Sequence, residues 1–441
     1  MKPSYYNSFL IALLIFATVS LLTAQTPPAV PVNSGQELRF VVIVSRHGVR
    51  SPTGKIEQLN EYSAQPWPTW SVPPGYLTAH GAQLMTLMGT YDRELLTREG
   101  LFASGECSEA EHISILADSD QRTRESGKAL AEGLFPNCSV AVHALAEGTQ
   151  DPLFHPSYIG GNHPDKLIAT AAIAGRIGNN PSGLVEAYRP QLQAMEEVLT
   201  GCKVSSPYPS NSASHMKSLF DIPTSISPGK GDHLVDLRSP LATAATMAEN
   251  LLLEYTEDKD KTQVGWGCVD ISKLRELMQL HTANADIERR TEYIARAQSS
   301  NLLAHILDSM QQAVTETPVS GALSKPADRL LVLVGHDTNL ANISGALSLS
   351  WLTDGRRDDT PPGGALVFEL WRDRAANSYS VRTFYMAQTL DQMRNSAHLD
   401  AENPPERVPV FVPACGRADS SCGWESFSNA LKSGIYPEFV K

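Results

Sequence analysis

Three segments of the chain repeat one plan, in which a short β-rich apolar run is followed by a polar cluster and then by a helical pattern. The apolar runs are residues 40–45, 112–117 and 330–335. Nearly continuous apolar runs with helices between them indicate a mainly parallel sheet that is covered on both faces. Such sheets bind their ligands beyond the carboxyl ends of the strands. The three polar clusters are therefore expected to meet at one edge of the sheet.

Further strands and helices complete the predicted fold. Residues 365–371, which follow a Pro-Pro-Gly-Gly sequence, are predicted to form a fourth strand, and residues 381–386 a hairpin partner that would make the sheet mixed. The spacing of apolar residues predicts helices over residues 81–96, 184–199 and 241–255. The expected fold class is α/β, with a mainly parallel central sheet flanked by helices and a mostly helical inserted cap domain.

The amino terminus is typical of a secretory signal. Lys2 is followed by an apolar stretch of 14 residues (9–22) and by small residues before Gln25, which is the order found in signal peptides. The stretch is short for a membrane span, and an uncleaved anchor is the alternative. The predicted domains are a signal peptide at residues 1–24, an α/β domain at residues 25–160 and 267–441, and a helical cap domain at residues 161–266.

The charge of the chain restricts its partners. The formal net charge is −12, and it becomes −13 without residues 1–24, because Lys2 is the only charged residue among them. An acidic protein of this kind binds nucleic acid and anionic membranes poorly. If it takes an anionic ligand, its positive charge must be concentrated in one pocket.

Six cysteines in a chain predicted to be exported favour disulfides. The pairs that the spacing favours are Cys107 with Cys138, Cys202 with Cys268, and Cys415 with Cys422. Other pairings stay open. None of the spacings is the C-x-x-C that is typical of a structural zinc site.

The first polar cluster, residues 46–52 (Arg-His-Gly-Val-Arg-Ser-Pro), carries two guanidinium groups and an imidazole directly after a strand. Two guanidinium forks suit a tetrahedral dianion such as phosphate. An imidazole among them is placed to attack phosphorus rather than only to bind. His47 is therefore the candidate nucleophile, with Arg46 and Arg50 as phosphate ligands. Taken alone, the same residues would suit a basic turn at the end of a core strand equally well.

The other two clusters supply groups that complement the first. Arg122, from the second cluster, adds a third permanent positive charge for the phosphate oxygens. From the third cluster, His336 adds another donor, and Asp337 is the candidate general acid that protonates the departing alkoxide and later activates water. Asp118 is expected to orient Arg122 or His47 from behind.

Other chemistries find less support in the sequence. A metal site would need several histidines and carboxylates around one ion, and three arginines beside His47 would repel a cation. The chain contains no G-x-S-x-G, no G-x-x-x-x-G-K-[ST] and no dinucleotide fingerprint. We therefore expect neither a metal nor an organic cofactor.

These motifs resemble the histidine acid phosphatase family of the phosphoglycerate-mutase-like superfamily, and within it the bacterial periplasmic phytases and acid phosphatases. The resemblance covers essentially the whole chain after the predicted signal. It rests on residues 41–50, 120–124, 151–154, 335–342, 360–364 and 388–394.

The resemblance implies an α/β domain with a helical cap, a phosphohistidine mechanism, an acidic pH optimum and no metal. It makes His47 the nucleophile and Asp337 the proton donor. The phosphate clamp that it implies consists of Arg46, Arg50, Arg122 and His336.

The substrate pocket is less well defined by the resemblance. Glu249 and Lys55 resemble pocket residues of the family, although an extra residue near Gly54 shifts the register of Lys55. Asp118 and Thr338 are further candidates for the pocket.

The function that the resemblance implies is a periplasmic or secreted acid phosphomonoesterase that hydrolyses phytate (myo-inositol hexakisphosphate). A glucose-1-phosphatase or a broad-specificity acid phosphatase is the enzymatic alternative, and a periplasmic phosphate-binding protein is the non-enzymatic one. The expected partners are small phosphorylated substrates such as inositol or sugar phosphates, with no nucleic acid and, after signal cleavage, no membrane. A monomer is the default expectation.

Overall fold

A mixed sheet of eight strands forms the centre of the molecule. The structure is a computed structural model that describes residues 35–54, 56–103, 106–156, 163–202, 216–231, 233–257, 263–413, 415–417 and 419–441. The strands of the sheet are β1 (Gln36–Arg46), β2 (Ile113–Ala117), β3 (Val142–His143), β6 (Leu330–Gly335), β9 (Ala365–Asp373), β10 (Ser378–Ala387), β11 (Glu406–Pro409) and β12 (Ser421–Gly423). Two separate hairpins are formed by β4 (Ser225–Pro228) with β5 (Val235–Arg238) and by β7 (Leu352–Thr353) with β8 (Arg356–Arg357).

Four neighbouring strands of the sheet are parallel. β1 pairs with β6, β6 with β2, and β2 with β3. On the other side of β1 the pairing is antiparallel, through β9 and β10 to β11 and β12. Every residue of β6 and every residue of β1 from Phe40 onward is buried, as expected for strands covered on both faces. The predicted α/β class is confirmed, and the predicted hairpin is the β9–β10 pair.

Helices lie on both faces of the sheet. On one face Phe40, Val42 and Val44 share a core with helices α9, α10 and α12, and on the other Val41 and Ile43 share a core with α2 and α3. The helices are α1 (Ile56–Leu59), α2 (Ala79–Arg98), α3 (Gln121–Leu134), α4 (Lys166–Arg176), α5 (Pro181–Ala187), α6 (Arg189–Leu199), α7 (Pro240–Thr256), α8 (Ile271–Glu288), α9 (Glu292–Thr315), α10 (Asp337–Leu347), α11 (Leu390–Arg394) and α12 (Trp424–Gly434).

A third apolar core lies among α4, α6, α7 and α8. It joins residues on both sides of the predicted boundary at residue 266, for example Leu251 and Leu277. Residues 35–441 form one compact unit. The division into a cap at residues 161–266 and an α/β domain stays a prediction.

The prediction of one helix over residues 184–199 is wrong. The chain forms two helices there, α5 and α6, with the break at Tyr188. Pro190 is the second residue of α6, where proline is tolerated, but inside a continuous helix its ring would clash with the preceding turn. The predicted helices over residues 81–96 and 241–255 are α2 and α7, whereas α8, α9 and the β4–β5 hairpin were not predicted.

All six cysteines are paired. The disulfides join Cys107 to Cys138, Cys202 to Cys268, and Cys415 to Cys422, which are the pairs that their spacing favoured. Within the described ranges, no helix combines the length and the apolar character of a membrane span. The predicted signal peptide lies outside the described residues.

Candidate active site

The carboxyl ends of β1, β2 and β6 lie side by side and carry the three polar clusters. Arg46, the last residue of β1, is paired with Gly335, the last residue of β6. The ladder continues beyond the strands, because the N–H of His47 donates to the Gly335 carbonyl at 3.0 Å and that of Asp118 to the Val334 carbonyl at 3.0 Å. The three clusters therefore meet at one edge of the sheet.

His47 lies at this edge and is buried. Its Nδ1 is 2.8 Å from the carbonyl oxygen of Gly48. A carbonyl oxygen only accepts hydrogen bonds, so Nδ1 carries the proton and Nε2 keeps its lone pair. Burial and the positive charges of Arg46, Arg50 and Arg122 lower the pKa of His47 well below the usual histidine value. The imidazole is thus held neutral, with one unprotonated nitrogen.

The loop that carries His47 is held between α2 and α3. The N–H of Gly48 donates to the Ser126 hydroxyl of α3 at 2.9 Å. A Cβ on Gly81, in the first turn of α2, would lie 2.1 Å from the carbonyl oxygen of Val49. Only glycine allows α2 to come this close to the loop.

Arg46 is fully buried and has two acceptors. Its Nη1 donates to the Thr360 carbonyl at 2.5 Å, and its Nη2 forms a hydrogen-bonded ion pair with Glu249 of α7. Burial alone would lower the pKa of Arg46, but the charges of Glu249 and Asp337 outweigh it and raise the pKa. These partners are needed because an uncompensated buried charge is costly.

Arg50 faces the same carboxylate from farther away. Its Nη2 is 3.6 Å from Glu249 Oε1, and its Nη1 donates to the Ser51 carbonyl at 3.0 Å. Burial lowers the pKa of Arg50 to about 10, with Glu249 opposing this shift and Arg46 adding to it. Two guanidinium groups share one carboxylate, so this group of three side chains keeps a net positive charge.

Arg122 lies in the first turn of α3 and reaches His336. Its Nη2 is 2.5 Å from Asp120 Oδ2 and 3.4 Å from His336 Nδ1. Burial lowers the pKa of Arg122, although Asp120 and Asp118 oppose it. Its charge, like those of Arg46 and Arg50, lowers the pKa of His47.

His336 precedes α10 and is bonded to a buried carboxylate. The backbone N–H of His336 donates to the side-chain oxygen of Asn339 at 2.9 Å, and its ring Nε2 is 2.5 Å from Asp118 Oδ2. The centroids of the His336 and His47 rings are 5.6 Å apart. Burial lowers the pKa of His336, although the bond to Asp118 opposes this shift.

Asp118 is fully buried and binds two imidazoles. The Oδ2 that contacts His336 also accepts from His155 Nε2 at 2.7 Å, and Oδ1 accepts from the Ser119 N–H at 2.7 Å. Burial raises the pKa of Asp118, but the hydrogen bonds from His155 and His336 outweigh burial and lower this pKa. The bond to Asp118 in turn raises the pKa of His155. The sequence suggested Arg122 or His47 as the partner of Asp118. Among the described residues, Asp118 forms a hydrogen bond with neither of them.

Asp337 is the first residue of α10 and is partly buried. Burial raises its pKa, but the neighbouring Arg46, His281 and Arg50 outweigh burial and lower it. The helix N-terminus favours the anion in the same way. A bound anion that offsets the arginines would reverse this effect and favour the protonated acid.

The remaining predicted residues are placed as follows. Glu249 is buried and binds Arg46 and Arg50. Thr338 follows Asp337 in the first turn of α10 and is partly exposed. Lys55 lies outside the described residues, so its role stays a prediction.

Several residues at the site escaped the sequence analysis. His281, on α8, has Nε2 at 3.6 Å from Glu249 Oε2 and Nδ1 at 3.9 Å from Asp359 Oδ1. His155 and Asp359 flank residues 151–154 and 360–364, which carried the resemblance, so their positions were a usable signal. His281 lies in a helix without a motif, and only tertiary packing brings it here.

One cluster has the composition of a metal site. Atoms of Asp118, Asp120, His155 and His336 that could ligate an ion lie within 4.8 Å of one another. However, both imidazoles already bond to Asp118, and Asp120 is paired with Arg122. A cation would break these bonds and meet the charge of Arg122. The donor set fits a hydrogen-bonded cluster better than a metal centre.

Comparisons with known sequences agree with this geometry. The family described as the histidine phosphatase superfamily (branch 2) matches residues 37–386. Phytase AppA of Escherichia coli (strain K12) is 33% identical over 434 residues, which cover 95% of this chain and 97% of that protein. A glucose-1-phosphatase of Salmonella typhimurium is 29% identical over 421 residues, which cover 94% and 95% of the two chains.

Solved structures give the same result. The Hafnia alvei phytase in complex with tartrate matches with a TM-score of 0.84 at 33% identity, over 93% of this chain and 100% of that chain. The same phytase in complex with myo-inositol hexakis sulphate matches with a TM-score of 0.81. The range matched by the family contains His47, Arg122 and the His336–Asp337 pair. The chain therefore belongs to branch 2 of the histidine phosphatase superfamily.

Proposed function

We propose that the protein is a phosphomonoesterase that works through a phosphohistidine at His47. One observation carries this proposal, namely a buried neutral imidazole whose Nδ1 donates to the Gly48 carbonyl within the field of three arginines. The arginines attract a phosphate group and stabilise the charge on its equatorial oxygens in the transition state. An imidazole nitrogen that keeps its lone pair in this field is a nucleophile for phosphorus.

Asp337 is the proposed general acid. Bound phosphate offsets the charges of Arg46 and Arg50, which lower the pKa of Asp337 in the free site, so the carboxyl group takes up a proton in the complex. In the first step Nε2 of His47 bonds to phosphorus, the ester P–O bond breaks, and Asp337 protonates the leaving alkoxide. In the second step water attacks phosphorus, the bond between phosphorus and Nε2 breaks, and a proton of the water passes to Asp337. An acidic optimum follows, because Asp337 must be protonated while His47 stays neutral.

Phytate is the proposed substrate. Both AppA and the Hafnia alvei protein are phytases at 33% identity, whereas the glucose-1-phosphatase of Salmonella typhimurium is at 29%. Glucose 1-phosphate, or a broad range of phosphomonoesters, is the second candidate. A phosphate-binding protein without turnover is the remaining alternative, and it would have no use for a general acid beside the nucleophile.

The proposed setting is the periplasm or the exterior of the cell. Three disulfides are typical of an oxidising compartment, and residues 1–24 have the pattern of an export signal. We further propose a monomer that needs no cofactor, with Lys55 and Thr338 contributing to the substrate pocket. Activity that is unchanged in the presence of EDTA would support the absence of a metal.

Replacing the nucleophile tests the proposal. His47→Ala should abolish hydrolysis of phytate, glucose 1-phosphate and p-nitrophenyl phosphate near pH 4.5, while circular dichroism shows an unchanged fold. Wild-type protein quenched in alkali during turnover of a ³²P-labelled substrate should carry acid-labile label, and the variant should carry none. Residual hydrolysis at the wild-type rate would overturn the assignment.

The same assay examines the proton donor and the substrate. In Asp337→Asn, kcat/KM for phytate should fall by about 100-fold or more. Since kcat/KM does not include the second step, its value for p-nitrophenyl phosphate should fall much less, because p-nitrophenolate leaves without protonation. Equal losses would argue against a general acid. A higher wild-type kcat/KM on glucose 1-phosphate than on phytate would favour the second substrate.

A further inference from the structure

Both groups that accept hydrogen bonds from Arg46 are connected to one residue, Asp359. The first acceptor is the carbonyl of Thr360, which follows Asp359 directly in the chain. The second is Glu249, which faces one side of the His281 ring at 3.6 Å, while Asp359 faces the other at 3.9 Å. Asp359 therefore reaches Arg46 by two routes, through the main chain and through two side chains.

Asp359 is in turn held by Arg356, and both are buried. Nε of Arg356 donates to Asp359 at 2.6 Å, and its Nη1 donates to Asp354 at 2.6 Å. Asp354 also accepts from Arg275 of α8 at 2.5 Å and from the Leu390 N–H of α11 at 3.0 Å. These bonds tie the guanidinium of Arg356 to two helices as well as to its own hairpin, so its position is fixed.

The contacts of His281 are the adjustable part of this arrangement. Both of its distances are longer than a hydrogen bond. Glu249 Oε2, His281 Nδ1 and Asp359 Oδ1 are buried and have no hydrogen-bond partner among the described residues. A shift of the ring by about 1 Å towards either carboxylate would bring it to hydrogen-bonding distance of that one. Because unpaired buried polar atoms are costly, the position of the imidazole depends on the carboxylates on both of its sides.

We propose that Arg356 and Asp359 are positioning residues of the phosphate clamp, which hold Arg46 in its binding orientation along the two routes described above. Neither residue touches the reacting atoms. The proposal rests on the proposed function, because it concerns how that site binds phosphate.

A purely electrostatic influence would behave differently from positioning. Arg356→Gln removes a positive charge and would weaken phosphate binding, whereas Asp359→Asn removes a negative charge and would strengthen it. The double variant would then return to the wild-type affinity. If the two residues position Arg46, both single variants should bind phosphate more weakly than wild type. The double variant should bind it no more weakly than the worse of the two single variants, because two breaks in one connection do not add.

The experiment measures the inhibition constant of inorganic phosphate and the KM of p-nitrophenyl phosphate. We expect both to rise about tenfold in Arg356→Gln, in Asp359→Asn and in the double variant, as is common when an outer partner of a binding residue is lost. Arg357→Gln is the matched control. It makes the same charge change one residue away, on a side chain that is 79% exposed and pairs with Asp358, and it should leave both constants unchanged.

Folding is controlled separately. Arg356→Lys keeps the charge but cannot donate a planar fork to two carboxylates, so it should show a smaller rise in both constants with a Tm close to that of wild type. Opposite shifts in the two single variants, or unchanged constants despite a lower Tm, would overturn the positioning role. If wild type itself neither hydrolyses p-nitrophenyl phosphate nor binds phosphate, the proposed function fails instead.

Discussion

The two sides of the candidate phosphate site pair their cations with carboxylates in different surroundings. The Glu249 side consists of Arg46, Arg50 and Glu249. The Asp118 side consists of five side chains, Arg122, His336, Asp118, Asp120 and His155. On the Glu249 side the three side chains are 0%, 11% and 9% exposed. On the Asp118 side Asp118 and His336 are as deeply buried, at 0% and 5% exposed, but Asp120 and His155 at its margin are 37% and 42% exposed.

This difference indicates which property each side controls. Removing one partner of a buried ion pair leaves an uncompensated charge, whereas water screens the same loss near the surface. The Asp118 side also contains two imidazoles, whose charge changes with pH. We therefore expect the Glu249 side to govern stability and phosphate affinity, and the Asp118 side to govern the response to pH.

Glu249→Gln is expected to have the largest effect. It leaves the fully buried Arg46 without its counter-charge, so the free energy of unfolding should fall by about 3 kcal/mol in phosphate-free buffer. Inorganic phosphate should restore much of this loss, because the bound anion supplies the missing charge and stabilises the folded state. Chemical denaturation with and without phosphate measures both effects.

A surface ion pair provides the matched control for this substitution. Glu186 pairs with Arg189 where both side chains are exposed, and Glu186→Gln should leave the free energy of unfolding unchanged. If Glu249→Gln destabilises the protein no more than this control does, or if phosphate restores none of the lost free energy of unfolding, then the Glu249 side does not govern stability and phosphate affinity.

Asp118→Asn is expected to have an intermediate effect. Without the carboxylate, His336 loses a charge-assisted hydrogen bond worth about 1.5–3 kcal/mol, so kcat/KM for p-nitrophenyl phosphate should fall by about 10- to 100-fold. The pKa of Asp118 is lowered on folding, so its stabilisation is present above the unfolded pKa of about 4 and is lost only as pH falls through the lower folded value. The defect should therefore persist down to about pH 4 in a series of steady-state measurements. An unchanged kcat/KM would mean that His336 needs no carboxylate behind it.

The cations of the site could be predicted from the sequence, because the strands position them. The apolar runs indicated β1, β2 and β6, and parallel strands in one sheet end at the same edge. β1 and β6 are paired up to Arg46 and Gly335, so His47 and His336, one residue further on, had to be neighbours. Position along a strand was sufficient information for this part of the site.

The carboxylates could be predicted only in part, because helix packing places them. The sequence suggested Asp118 as a partner of Arg122 or His47, but in the structure it lies against His336 and His155. Glu249 resembles a substrate-pocket residue, and the packing of α7 turns it towards the buried arginines. Its part in the pocket stays a prediction. Helix periodicity shows which face of a helix is apolar, but it does not show which residue of another element that face meets.

His155→Asn is expected to have the smallest effect, and only within a window of pH. The bond to Asp118 raises the pKa of His155, so the stabilisation is fully present below the unfolded pKa of about 6.5 and is lost as pH rises through the higher folded value. Because the side chain is 42% exposed, solvent screening should keep the difference below about 1 kcal/mol. Denaturation curves should show the variant to be less stable than wild type near pH 5 and equally stable near pH 9, whereas His143→Asn, at an exposed position of β3, should show no difference at either pH. A deficit that does not change with pH would mean that His155 acts by packing, and the Asp118 side would then lose its role as the pH-sensitive half of the site.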